Sequence, residues 1–302
     1  VTAQTTTADG YVDREIRRQP ESWDRAIALL PDVTDALPAR GDRVAVIGCG
    51  TSWFMAGAYA MAREAAGLGE TDFFAASEFP TGRRYDRVVA ISRSGTTTEV
   101  VRAVEASRSP VVAITALADG PVAAAAAEVV PLAFADEKSV VQTVFATTTL
   151  MLLRASLGES LTPVVEQAAA VLRGEFAVPA EVADAEQYTF LGQGWAYGVA
   201  QEAALKMREA ARLWTESYPQ MEYRHGPIAI AGPNRTVWLL GRPVDGIAAD
   251  IRATGARLVD DHLDPVVDLV RAQLLAVARG RAAGLDPDLP RHLTRSVVLG
   301  SA

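Results

Sequence analysis

Short apolar runs alternate with longer amphipathic stretches along most of this chain. Residues 42–47, 71–76, 87–91, 110–115 and 129–134 are apolar runs bounded by turn residues, and they predict strands. Residues 51–66, 99–107, 121–128 and 143–157 space their apolar positions as helices do, with Gly67 ending the first. Such alternation predicts a parallel sheet covered by helices on both faces. Ahead of it, Ile16, Trp23, Ile27 and Leu30 fall at loosely helical spacing, with Pro20 breaking or restarting the helix.

Residues 161–173 predict a connecting helix, and Pro179 marks a break. The theme then repeats in shorter form, with strands at 188–192, 236–240 and 257–259 and helices at 195–214, 246–254 and 266–281. Val46-Ile-Gly-Cys-Gly-Thr-Ser52 parallels Phe190-Leu-Gly-Gln-Gly-Trp-Ala196, which reads as an internal duplication. The expectation is an α/β chain with two doubly wound parallel sheets. The first unit spans 11–160, a linker 161–185 and a second, shortened unit 186–302.

Composition narrows the class. Hydrophobic residues make up 49% of the 302 and charged residues 22%, so the chain can bury a core and is not of the disordered type. A net charge of −8 with no basic stripe argues against nucleic acid as a partner. The single cysteine, Cys49, excludes an intrachain disulfide and fits a reducing cytoplasm. No Cys/His cluster has metal-ligand spacing, and no metal or other cofactor is expected. Residues 1–10 are expected to be flexible and do not read as a signal peptide. The most apolar windows, 122–135 and 143–153, are too short to span a bilayer, so a membrane is not an expected partner.

Candidate chemistry gathers at strand-to-helix turns. Ser92-Arg-Ser-Gly-Thr-Thr-Thr98 places five hydroxyls and a glycine where a helix begins. The first-turn N–H groups lack partners and the helix dipole favours an anion, so this reads as a phosphate cradle, although Ser and Thr are also ordinary caps. Gly48-Cys-Gly-Thr-Ser52 is a second such turn. It lacks the third glycine of a dinucleotide fingerprint and no phosphate-loop lysine follows, which disfavours a nucleotide. Glu202, Lys206 and Glu209 share one helix face, either as a solvated ion-pair stripe or as a site. His225 sits in the polar turn 222–227 beside Gly226-Pro227, as a turn residue or as an acid/base.

Taken together, these segments resemble the double sugar-isomerase (SIS) domain family. The carriers are 48–52, Ala76-Ser-Glu-Phe79, 92–98, Glu202-x-x-x-Lys206-x-x-Glu209, Glu222-x-x-His225-Gly-Pro227, Glu15-Ile-Arg-Arg-Gln-Pro20 and Leu289-Pro-Arg-His-Leu-Thr-Arg-Ser296. The nearest forms are the isomerase half of glucosamine-6-phosphate synthase and stand-alone amino-sugar-phosphate deaminases and isomerases. The resemblance implies that Ser92, Ser94 and Thr97 hold the sugar phosphate, with Arg93 where the synthases have glutamine. It implies that Thr51 and Ser52 touch phosphate or sugar hydroxyls and that Glu202 and Lys206 line the pocket. Glu209 would be the base moving a proton between C1 and C2. His225 would open the ring, often across a homodimer interface.

Two departures stand out. Arg295 replaces the synthase lysine that forms a Schiff base, and a guanidinium cannot form that imine, though it could bind phosphate or polarise a carbonyl. No glutaminase half is recognised in the chain, so by itself it is not expected to make an amino sugar from glutamine. The implied activity is a cytoplasmic phosphosugar isomerase/deaminase acting on a substrate such as glucosamine 6-phosphate. The alternatives are an aldose–ketose isomerase of another phosphosugar, a deglycase, and a non-catalytic phosphosugar sensor.

Overall fold

The strands divide their side chains by parity between two cores. In a computed structural model describing residues 10–300, β1 (Val44–Gly48), β2 (Thr71–Ala75), β3 (Arg87–Ser92), β4 (Val111–Thr115) and β5 (Glu128–Pro131) form a parallel sheet in the order β2-β1-β3-β4-β5. Val44, Val46, Val89, Ile91, Val112 and Ile114 face the main core, while Ala45, Ile47, Val88, Ala90, Val111 and Ala113 face a second. Burial on both faces explains why these strands read as continuous apolar runs. The expectation for residues 1–10 lies outside the described residues, apart from Gly10.

The remaining elements of the first half are α1 (Tyr11–Arg17), α2 (Gln19–Val33), α3 (Thr51–Ala65), α4 (Thr98–Ala106), α5 (Pro121–Ala125) and α6 (Val144–Ser156). Pro20 lies in the first turn of α2, where its missing N–H costs nothing, so it starts a helix. The chain continues through α7 (Thr162–Leu172) and the single turn α8 (Ala180–Ala183). Then come β6 (Gln187–Gly192), α9 (Ala196–Ala211), β7 (Thr215–Pro219), β8 (Arg235–Leu240), α10 (Ile247–Ala253), β9 (Arg257–Val259) and α11 (Pro265–Ala282).

The second sheet is parallel in the order β7-β6-β8-β9, repeating the first order with one strand fewer. Tyr188, Phe190, Trp238 and Leu240 enter the main core with α3, α6, α9 and α11, and Leu191, Val237 and Leu239 pack under α10. Strand β7 departs from the sequence expectation, which ran the preceding helix on to Trp214. The helix stops at Ala211 because Arg212 turns left-handed (φ 54°), and Thr215 then enters the sheet beside Tyr188.

The duplicated turns share a backbone device. A Cβ on Gly48 would lie 2.6 Å from the carbonyl carbon of Ser52, and one on Gly192 would lie 2.3 Å from that of Ala196. Gly50 (φ 54°) and Gly194 (φ 56°) then take the same left-handed step. In each sheet the strand order reverses between the strand bearing this turn and its other neighbour, β1 with β3 and β6 with β8. Ligands of open α/β sheets bind at such switch points, beyond the carboxyl ends of the strands.

Candidate functional site

The two turns singled out in the first half, 48–52 and 92–98, meet at its switch point and line a cavity of about 240 Å³. Thr51, Ser52, Ser92, Arg93, Ser94, Thr97, Glu209 and Arg295 all line it, together with Cys49, Val140, Gln142 and the tail residues Leu293–Val297. Helices α3 and α4 both begin there, so the positive ends of two helix dipoles belong to its wall. Burial, with a contribution from Glu99, pushes the Cys49 thiol up to about 11. The thiol therefore stays protonated and is no nucleophile at neutral pH.

Glu209 arrives from the second half because α9 packs directly on α3. The contact is at Gly198, where a Cβ would lie 2.6 Å from the Phe54 carbonyl oxygen and 2.8 Å from the Ala58 nitrogen. Closeness there carries the rest of the α9 face to the first sheet. Lys206 donates to Thr51 Oγ1 at 3.1 Å, and Thr51 Oγ1 donates to Glu202 Oε1 at 3.2 Å. Lys206 also pairs with Glu202 at 3.2 Å and with Glu209. Glu202 and Lys206 are fully buried, whereas the Glu209 side chain keeps 18% of its surface. The stripe is thus a buried triad with one carboxylate exposed to the cavity, not a solvated surface.

Its charge state follows from burial. Desolvation pushes Glu202 up to about 8 against the pull of Lys206, so it is mostly protonated at neutral pH. Desolvation also disfavours the Lys206 ammonium, but the two carboxylates outweigh it and hold the amine above its usual range. The arrangement at pH 7 is a neutral Glu202 behind a charged Lys206 that faces Glu209.

The two arginines do different work from what their positions suggest. Arg93 is buried, donating from Nη1 to the Ser139 carbonyl and from Nη2 to the Arg295 carbonyl, both at 3.0 Å, and it faces Glu137 at 3.7 Å. Glu137 in turn accepts from the first amides of α6, Val144 N at 2.9 Å and Phe145 N at 3.3 Å. Arg295 pairs with Asp136 and donates to the Glu137 carbonyl. Both guanidiniums therefore clasp the tail to the loop 136–139 and form the rim of the cavity.

Ser296 escaped sequence reasoning. Its hydroxyl reaches Ser94 Oγ at 3.2 Å, Thr96 Oγ1 at 2.8 Å and Thr97 Oγ1 at 3.5 Å, inside the hydroxyl loop. The backbone follows it down, with Thr98 N donating to the Val297 carbonyl and Leu299 N to Thr98 Oγ1. Proximity in sequence to Arg295 was the one available signal. Gln142, also missed, lines the cavity with Oε1 buried and without a partner among the described residues. His225 is not brought to Glu209 within the chain. It is exposed in a 3-10 turn after β7, and the cavity lining does not include it.

Residues 39–157, the first sheet with its helices, match the SIS domain. The chain is 27% identical to a glutamine–fructose-6-phosphate aminotransferase of Methanothermobacter thermautotrophicus, over 96% of this chain and 58% of that protein. It is 28% identical to the Gloeobacter violaceus protein of the same name, over 85% and 52%. The chain thus spans little more than half the length of these curated relatives. Among solved structures, glucosamine-6-phosphate deaminase from Thermotoga maritima superposes with a TM-score of 0.79 at 22% identity, covering 96% of this chain and all of that one. Tagatose-6-phosphate ketose/aldose isomerase from Escherichia coli gives 0.75 at 19%, covering 95% and 97%. These likenesses show a shared fold across both sheets. Among the described residues no helix is long and apolar enough to cross a membrane.

Proposed function

We propose that the chain is a phosphosugar isomerase, acting on an amino-sugar phosphate such as glucosamine 6-phosphate and releasing its nitrogen as ammonia. The observation that carries this is one cavity lined both by the hydroxyls of two helix N-termini and by a single partly exposed carboxylate backed by a buried lysine. The hydroxyls and amides anchor a phosphate without a fixed cation. Glu209 is then the group in the cavity suited to taking a proton next to a carbonyl.

In the proposed course, the ring opens to a 2-amino aldehyde and Glu209 takes the C2 proton. The resulting enolamine regains that proton at C1, giving the ketose imine. Water adds to C2 of the imine, and loss of ammonia leaves the ketose phosphate. Lys206 holds Glu209 in place, while Glu202 and Thr51 hold Lys206. Arg295 fixes the tail over the cavity and places no amine there, so no imine to the protein is part of this course. His225 serves ring opening from a second copy of the chain, which makes the active form a homodimer with shared sites.

The relatives named for fructose 6-phosphate and glucosamine 6-phosphate support a hexose-phosphate substrate. Incubating the protein with a panel of hexose and hexosamine 6-phosphates tests the reading. Stoichiometric ammonia and ketose phosphate from an aminosugar is the expected result. Ketose–aldose interconversion without ammonia would reassign it as a plain isomerase. Binding without any turnover would make it a sensor.

A further inference from the structure

Taking a proton next to a carbonyl drives negative charge onto the carbonyl oxygen. The cavity that holds Glu209 therefore needs a hydrogen-bond donor for that oxygen. Most polar groups in its wall are already engaged. Thr51 Oγ1 lies between Lys206 and Glu202, Ser94 and Thr97 meet Ser296, and Thr294 donates to the Ser296 carbonyl at 2.9 Å. Arg93 and Arg295 are tied to carbonyls of the tail and of loop 136–139, and to Glu137 and Asp136. Ser52 and Ser92 belong to the turns that hold phosphate and sugar hydroxyls in the reading above, and the Cys49 thiol is a weak donor.

Gln142 is not engaged. Its half-buried side chain lines the cavity and makes no hydrogen bond to a described residue. Oε1 is buried, whereas Nε2 is neither buried nor paired with a described residue, so the open end of the carboxamide is its donor. The neighbours of Gln142 fix which part of the cavity it serves. Val141 and Thr143 close with Lys206 and Ala210 around a gap that has no room for water. Lys206 and Ala210 flank Glu209 on α9, so residue 142 stands at the Glu209 end. The backbone there is held in advance. Buried Glu137 accepts from Thr143 N at 2.6 Å, Thr143 Oγ1 at 2.9 Å and the first amides of α6, which ties loop 137–143 to that helix. A donor fixed in this way needs little rearrangement as charge develops.

We propose that Gln142 is a catalytic residue, donating from Nε2 to the carbonyl oxygen at C1 of the open sugar while Glu209 takes the C2 proton. This rests on the reading of Glu209 given above and adds the group that meets the developing charge. In the step, the C2–H electron pair becomes the C1–C2 double bond and the carbonyl pair moves onto the oxygen. The proton goes to Glu209 and returns at C1. The carboxamide gives up no proton and only stabilises the oxygen. With Arg295 held by Asp136, a neutral amide does here what a free cation could otherwise do.

The test uses the full chain and two ligands. Sorbitol 6-phosphate has no carbonyl, and 5-phosphoarabinonohydroxamate copies the flat oxygens of the enediolate. Titration calorimetry gives both affinities in the wild type, Gln142→Met and Gln142→Glu. Nuclear magnetic resonance in deuterium oxide gives the rate of hydrogen exchange at C1 or C2 of glucosamine 6-phosphate. Both variants should exchange at least about a hundredfold more slowly, as loss of one oxyanion donor gives. Their preference for the hydroxamate over sorbitol 6-phosphate should fall at least about tenfold, the worth of a hydrogen bond to a charged group. Sorbitol 6-phosphate should bind them nearly as it binds the wild type, which also shows that they fold. Exchange slowed less than about tenfold in either variant would overturn the role. A working Gln142→Glu beside a failed Gln142→Met would make the group an acceptor, which also overturns it. Equal losses of affinity for both ligands would reduce Gln142 to a support of the phosphate site. If the wild type and both variants exchange alike, this assignment fails alone. If the wild type binds neither ligand, the phosphosugar reading fails and this one with it.

Discussion

Thr51 Oγ1 donates to Glu202 Oε1 at 3.2 Å, joining the first turn of a helix on one sheet to the middle of a helix on the other. Both side chains are buried. Glu202 Oε2 is without a partner among the described residues, so Thr51 and Lys206 are what keep this carboxyl satisfied. Thr51→Val removes the link with little change of shape. It is expected to lower unfolding free energy by about 1–3 kcal/mol, the cost of orphaning buried polar groups. Urea denaturation measures it, and a loss under half a kilocalorie would show that the junction does not depend on Thr51.

Gly198 sets how closely the two halves approach. A methyl group there meets backbone atoms of Phe54 and Ala58, which cannot swing aside. Gly→Ala in a helix ordinarily stabilises by roughly 0.5–1 kcal/mol. Gly198→Ala is expected to do the reverse, lowering the melting temperature and weakening phosphosugar binding as Glu209 shifts. A melting temperature at or above wild type would show that α9 and α3 have room to spare.

Glu202 predicts a pH signature. Its folded value, about 8, stands above the ordinary 4.5. Such a group contributes stability that is fully present below 4.5 and is lost as pH rises through about 8. Glu202→Gln removes this dependence. Relative to wild type, the variant should therefore gain stability between pH 5 and pH 9, as read by denaturation at each pH. A constant difference across that range would mean that Glu202 titrates normally.

The exposed position of His225, away from Glu209, makes shared sites testable. Glu209→Gln and His225→Asn homodimers should each be nearly inactive. Hybrids formed by unfolding and refolding the two together should recover part of wild-type activity, because one of the two sites then holds both residues. No recovery, with hybrids confirmed by mass, would place both groups in one chain.

Most of the framework was legible in the chain because strands buried on both faces leave unbroken apolar runs, as in 87–91 and 111–115. Strand β7 was not. Thr215-Glu-Ser-Tyr-Pro219 is polar and lies at the edge of the second sheet, so no periodicity marks it. Of the candidate residues, the hydroxyl turns announced themselves by local composition. The burial of Glu202 and Lys206 did not, because an i, i+4 ion pair on a helix looks the same whether solvent or α3 covers it. Ser296 and the clasping roles of Arg93 and Arg295 depend on contacts 158 to 202 residues apart in sequence, beyond the reach of any local pattern.

The central claim is that Glu209 moves the proton between C1 and C2. Incubation with a hexose 6-phosphate in deuterium oxide, followed by nuclear magnetic resonance, reads that step whether or not ammonia is later lost. The wild type should exchange the C1 or C2 hydrogen, and Glu209→Gln should do so at least about a hundredfold more slowly while still binding the sugar phosphate. Exchange at the wild-type rate in Glu209→Gln would contradict the account.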